Sequence, residues 1–236
     1  MCGRLNTSDD PVVQGLMTQL GLPLDSRILA GQQGKRFTRA TDKVTVIREK
    51  NGQRALEQAV WWLLLERTET GFKPSKYTSF NTRYDKLNIP RSAGFKPFRE
   101  SRCIIPAKGF GETEFVNKKP LHYYDFEAVD GEALAFGGLC KEWTHSVTGE
   151  VVLSCSVITL PPHDKLKHIH SKAMPLILPQ DDDTMDMWLD SKLQNVDVFN
   201  DLLRAHLPQN LIAYQIDKPS LYNPIGTQKL ILSDAV

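Results

Sequence analysis

Apolar residues at Val12, Val13, Leu16, Met17 and Leu20 follow the i, i+3/i+4 spacing of one helix face. Ser8-Asp9-Asp10 offers polar caps ahead of Pro11 in the first turn, and Gly21-Leu22-Pro23 stops the run, so a helix is predicted between them. The pattern then changes to short β-rich runs bounded by turn residues: Lys43 to Arg48, Ala59 to Leu65, Arg102 to Ala107, His122 to Ala128, Ala133 to Cys140 and Val151 to Thr159. Asn51-Gly52 and Asp130-Gly131 lie between such runs and read as hairpin turns. Asp181-Asp182-Asp183 opens a short helix through Met185, Met187, Trp188 and Leu189, with its acids at the favourable end of the dipole. A further helix is predicted over Val196 to Leu207, then a strand from Leu211 to Ile216. Strands dominate and no βαβ alternation occurs, which predicts an α+β fold with a largely antiparallel sheet. No Pro/Gly/Ser-rich linker divides the chain, so one domain over residues 1–236 is expected.

Composition narrows the function classes. With 236 residues, 41% hydrophobic and 24% charged, the chain has length for a sizeable core, and its net charge of +1 provides no global basic field. Cys2, Cys103, Cys140 and Cys155 are widely spaced, without a C-x-x-C pair or a histidine at ligand spacing. That argues against a zinc site or disulfide framework and for a reducing compartment. The longest apolar run, Ala59 to Leu65, is too short to cross a bilayer, and no signal-peptide core is seen. A soluble cytoplasmic protein with no membrane contact is expected. Charge is nevertheless segregated: between Arg83 and Lys108 seven basic residues face two acidic ones. Tyr84, Phe95, Phe98, Pro90 and Pro97 are interleaved with them, a combination that suits a single nucleic-acid strand and equally a solvated loop.

The second residue carries distinctive chemistry. Once Met1 is removed, Cys2 becomes a 1,2-aminothiol, whose amine condenses with an aldehyde and whose thiolate closes on the same carbon to give a thiazolidine. Unperturbed pKa values of about 8 for the α-amine and about 8.5 for the thiol leave a reactive fraction of both near neutrality. A buried structural cysteine is the competing reading. Asn81 lies at a strand end before the basic stretch, Glu112 follows Gly109-Phe110-Gly111, read as a flexible turn, and His170 lies in a basic loop ahead of Pro175. Each could equally be an ordinary turn or surface residue.

Taken together these segments resemble the SRAP (SOS response-associated peptidase) family. The resemblance rests on Met1-Cys2-Gly3-Arg4, Asn81-Thr82-Arg83-Tyr84-Asp85, Phe95-Lys96-Pro97-Phe98 and Arg102 through Glu112, then Phe136-Gly137-Gly138-Leu139 with Trp143, His170 to Pro175 and the tail around Pro224. It implies a barrel-like, mainly antiparallel core with peripheral helices, and covalent capture of abasic sites in single-stranded DNA during the DNA-damage response. By the same resemblance Cys2 is the nucleophile, and Asn81 orients it and the sugar. Glu112 acts as general acid/base with a raised pKa, and His170 shuttles a proton. Arg4 and Arg83 hold phosphates, with Arg91, Lys96 and Arg99 completing the DNA-binding set. A peptidase or lyase activity, no cofactor, no metal and a monomer are also implied.

The chain departs from the family pattern at several places. Phe37-Thr38-Arg39-Ala40-Thr41 replaces an Asn-x-Ala-Pro stretch, and Trp61-Trp62-Leu63-Leu64-Leu65 lacks the usual glycine and proline of a segment that shapes the DNA-binding face. Asp85 replaces a glutamate, and Thr113 replaces a tryptophan. An extra residue after His170 makes His168 an alternative active histidine. Two other function classes stay open. One is a non-catalytic single-strand-binding module. The other is an amidohydrolase like the class II glutamine amidotransferases, which also start Met-Cys-Gly and for which Asn51-Gly52-Gln53 is the nearest oxyanion segment.

Overall fold

The computed structural model describes residues 3–7, 11–22, 35–117, 119–129 and 131–234. Cys2, the cap candidates Ser8 to Asp10, Pro23 and Asp130 lie outside them. Two sheets make up most of the fold. In one, strands β3 (Lys43–Lys50), β4 (Gln53–Trp61), β8 (Arg102–Ala107), β11 (Leu134–Thr144) and β12 (Val151–Leu160) run in the order β11-β8-β3-β4-β12. Pairing of β11 with β12 closes them into a five-stranded barrel, antiparallel throughout except for β12 beside β4. Two short strands extend the end of β12: β7 (Asn81–Arg83), parallel to it, and β13 (Met174–Pro175), antiparallel.

The second sheet contains β1 (Arg4–Asn6), β2 (Thr38–Arg39), β9 (Gly109–Val116), β10 (Lys119–Ala128), β14 (Leu211–Ile216) and β15 (Lys229–Ile231), in the order β15-β14-β10-β9-β1-β2. It docks on the barrel through aromatic rings. Phe110 of β9 stacks on Phe126 of β10 at 4.7 Å, and Phe110 meets Phe136 of β11 edge-on at 5.8 Å. A separate hairpin pairs β5 (Leu65–Arg67) with β6 (Phe72–Pro74). The helices α1 (Pro11–Gln19), α2 (Phe95–Glu100) and α3 (Thr184–Leu189) are peripheral, burying Leu16 and Met17, Phe98, and Met185 and Trp188 respectively.

The α+β class, the mainly antiparallel sheets and the barrel-like core with peripheral helices agree with expectation. Asn51-Gly52 is a hairpin turn: both residues have positive φ, 56° and 77°, and Lys50 pairs with Gln53 across it. Four local readings are corrected. Gly131 lies between β10 and β11, which belong to different sheets, so these two strands are not the arms of a hairpin. The run Ala59 to Leu65 is broken, because β4 ends at Trp61 and Leu63 and Leu64 donate instead to the carbonyl and hydroxyl of Ser79. Residues 196–207 form a 3₁₀ turn, Val196–Phe199, followed by further tight turns. Val196, Phe199, Leu203 and Leu207 are buried, so the helix-like apolar spacing is met by a 3₁₀ turn, a further turn to Arg204 and irregular chain. Gly109-Phe110-Gly111 is not a flexible turn but the start of β9.

Candidate active site

Glu112 is buried because of where β9 puts it. Side chains alternate along a strand, so Glu112 shares a face with Phe110, which packs into the seam between the sheet and the barrel. Tyr124, itself buried, is its direct cross-strand partner. Glu112 is 4% exposed, and this desolvation pushes its carboxyl up to about 7, against a smaller opposing pull from the Arg4 guanidinium.

The two glycines on β9 permit close approach rather than flexibility. A Cβ on Gly111 would lie 2.5 Å from Arg4 Nε, and one on Gly109 would lie 2.2 Å from the Phe126 carbonyl oxygen. Arg4 pairs with Gly111 in the β1–β9 register and lays its guanidinium across the vacant position. There Nη2 donates to the carbonyls of Glu112 (2.7 Å) and Tyr124 (3.0 Å), and it lies 3.7 Å from the carboxylate of Asp125. Expected on a phosphate, Arg4 is instead a buried side chain that ties β1 to β9 and β10.

His170 reaches Glu112 from the barrel side. It sits in the connection between β12 and β13, where its backbone N–H donates to Leu166 O at 2.8 Å. Nδ1 lies 3.5 Å from Glu112 Oε2, and the imidazole is buried. Burial pushes its pKa down to about 4, and Lys172 acts in the same direction. His168, the alternative, is exposed. Asn81 stands on β7, in register with Val157 of β12, and its Oδ1 is buried.

The basic stretch is more structured than a loop. Phe98 is fully buried, and Arg102 is buried with its guanidinium donating to the carbonyls of Phe98, Trp188, Asp190 and Leu193. Arg99 lies 3.9 Å over the Phe95 ring and donates to Leu87 O, Phe95 O and Asn88 Oδ1, so it holds α2 in place. Arg83, Arg91 and Lys96 are exposed; Arg83 forms a bidentate pair with Asp85, and Lys96 lies 3.5 Å from Glu100. Arg83 also lines a cleft of about 400 Å³ with Tyr84, Thr159, Pro161, Pro162 and Lys172. Lys172 lines this cleft without being among the predicted site residues, and its place two residues after His170 is the available signal. Trp61 is fully buried with its indole N–H on Phe80 O, while half-buried Trp62 packs against the Phe80 ring at 5.7 Å. Among the described residues no cluster of three or more His, Cys, Asp or Glu is arranged to hold a metal ion, and no helix is long and apolar enough to cross a membrane.

Comparison with known proteins decides the family. The family model described as SOS response associated peptidase (SRAP) matches residues 1–219. The chain belongs to the SRAP family. Its relatives include the abasic site processing protein YobE of Bacillus subtilis (strain 168), 29% identical over 140 residues, which cover 59% of this chain and 62% of YobE. The abasic site processing protein YoaM of the same organism is 31% identical over 160 residues, covering 67% of each chain. The match thus spans less than two thirds of YobE. Among solved structures, a Bacteroides thetaiotaomicron protein superposes with a TM-score of 0.73 at 20% identity, covering 94% of this chain and 95% of its own. A Bordetella bronchiseptica protein gives 0.66, also at 20% identity, covering 92% and 100%. These likenesses show that one shared fold covers nearly the whole chain.

Proposed function

We propose that this SRAP protein captures abasic sites in single-stranded DNA as a covalent adduct on Cys2 after Met1 is removed. The observation that carries the reading is the buried Glu112–His170 couple beside the start of β1. Cys2 is two residues from Arg4, so peptide geometry alone keeps its Cα within about 7 Å of the Arg4 Cα. Arg4 in turn is bonded to the Glu112 carbonyl. The names of the relatives, abasic site processing proteins, supply the substrate class.

An opened abasic deoxyribose presents an aldehyde at C1′. The Cys2 amine adds to that carbon, and protonated Glu112 delivers a proton to the carbinolamine hydroxyl, which leaves as water and gives the imine. The thiolate then adds to the imine carbon, and the nitrogen takes up a proton, closing a thiazolidine with net release of one water. His170, neutral at physiological pH, carries the proton transferred when the sugar ring opens. Asn81 orients Cys2 and the sugar. Arg83 and Lys172, flanking the cleft, hold phosphates, with exposed Arg91 and Lys96 extending the track. Cleavage of the Met1–Cys2 bond by the chain itself would account for the peptidase in the family name.

A denaturing gel of the protein with single-stranded DNA carrying one abasic site tests the reading. A heat-stable shifted band that is lost in Cys2→Ala is expected. Absence of the band from protein whose mass shows a free Cys2 would leave non-covalent strand binding as the function.

A further inference from the structure

We propose that Asp234 is a positioning residue for the Glu112–His170 couple, its carboxylate latching the end of the chain to the loop that carries His170. The inference rests on the function proposed above and concerns a segment beyond residue 219, where the family match ends.

Three basic side chains and a backbone amide converge on this one carboxylate. Asp234 Oδ2 accepts from His163 Nε2 at 2.9 Å and from the Leu207 N–H at 2.9 Å, and lies 3.4 Å from His206 Nδ1. Oδ1 accepts from Lys165 Nζ at 2.7 Å. Lys165 Nζ also donates to the carbonyls of Leu232 and Ser233, each at 2.9 Å, so one ammonium grips three successive residues of the tail. The tail is fixed independently by Asp234 N to Leu207 O at 2.9 Å and by Ser233 N to Asn210 Oδ1 at 2.7 Å. His163 Nδ1 accepts from the Lys165 N–H at 3.2 Å, which leaves Nε2–H to donate to Asp234 and selects one tautomer.

The latch grips the beginning of the loop whose end is His170. Leu166 N donates to His163 O at 2.9 Å and His170 N donates to Leu166 O at 2.8 Å, so two backbone bonds connect the latched residue to the active-site histidine. Leu166 and Ile169 are buried and keep the loop packed whether or not the latch is present. The latch therefore sets the register of the loop rather than its existence. A small displacement at His163 changes the depth and the Glu112 distance of the imidazole, on which its proton affinity depends.

The test is an NMR titration of the His170 imidazole in the full chain, for the wild type, Asp234→Ala and Lys165→Met, with the rate of adduct formation on saturating abasic single strand measured in parallel. Among the described residues, Glu112 and Lys172 are the charged groups that face His170, and His163, Lys165 and His206 face Asp234. Both variants are expected to raise the His170 midpoint by roughly half a pH unit or more, as burial relaxes. The adduct rate falls about tenfold, by analogy with the 10–100-fold effect of orienting groups elsewhere, while affinity for intact single strand stays unchanged. Asp234→Glu, which keeps the carboxylate, restores part of the rate. Lys165→Met changes an exposed side chain and preserves the test if Asp234→Ala does not fold. An unchanged His170 midpoint in a folded variant overturns the latch. If the wild type forms no adduct but the midpoint moves in both variants, the latch stands and the proposed function fails.

Discussion

Glu112 on β9 and His170 in the connection between β12 and β13 approach to 3.5 Å, and burial moves their proton affinities past each other. The carboxyl keeps its proton up to about pH 7, and the imidazole stays neutral down to about pH 4. The resting pair at mildly acidic pH is a neutral acid beside a neutral base. That is the arrangement an imine-forming reaction uses, in which one proton is delivered to a departing hydroxyl and another is taken from an opening sugar.

The pH profile of adduct formation follows. Deprotonation of an amine with unperturbed pKa of about 8 raises the rate with pH. Loss of the Glu112 proton above about 7 lowers it, so the wild type gives a bell. In Glu112→Gln the alkaline limb should disappear and the rate should fall by roughly 10²–10⁴-fold. Single-turnover gels between pH 5 and 9 measure both effects. An alkaline limb that survives in the variant would assign it to another group.

The same residue limits stability. Its folded pKa of about 7 exceeds the ordinary value of 4.5, so the folded state binds more protons than the unfolded state between those pH values. Stability therefore falls as pH rises through this window and levels off above it. Glu112→Gln lacks that slope and should exceed the wild type by about 3 kcal/mol at pH 8, with the difference vanishing near pH 4. Urea unfolding at the two pH values checks the sign.

Arg4 and Arg83 should separate in salt dependence. Arg83→Ala removes an exposed cation beside the cleft and should reduce the slope of log binding constant against log salt by about 0.7 for a single strand. Arg4→Met should leave that slope unchanged. It should instead destabilise the fold by roughly 3 kcal/mol, because Asp125 and two carbonyls lose a buried partner, and it should slow the adduct reaction. A reduced slope in Arg4→Met would return Arg4 to the phosphate-binding set.

Gly111→Ala provides a backbone test of the same anchor. The new Cβ would stand 2.5 Å from Arg4 Nε, so the guanidinium must move off β9. A loss of about 1–3 kcal/mol in thermal or urea unfolding is expected, together with slower adduct formation. Gly15→Ala, where nothing lies within 4 Å, should show neither loss.

Features set by local periodicity were legible in the sequence. The Pro11–Gln19 helix, the Asn51-Gly52 turn and the long strands follow from local side-chain pattern and backbone conformation. What escaped was decided by long-range packing. Gly109 and Gly111 look like flexible residues until Phe126 and Arg4, which are distant in sequence, are seen lying against them. Arg99 and Arg102 count as surface charge until their carbonyl acceptors are placed, and Phe98 counts as a stacking ring until α2 folds onto the barrel. Glu112 and His170 could be named from family resemblance alone. Their meeting, and the burial that shifts both, arises only where the sheet docks on the barrel.

The most direct test of the central claim is intact mass spectrometry of the adduct formed with a defined single strand containing one abasic site. The account predicts a mass equal to the chain without Met1 plus the oligonucleotide less one water, with the modification on Cys2 after digestion. An adduct that retains Met1, maps to a lysine, or is undiminished in Cys2→Ala would contradict it.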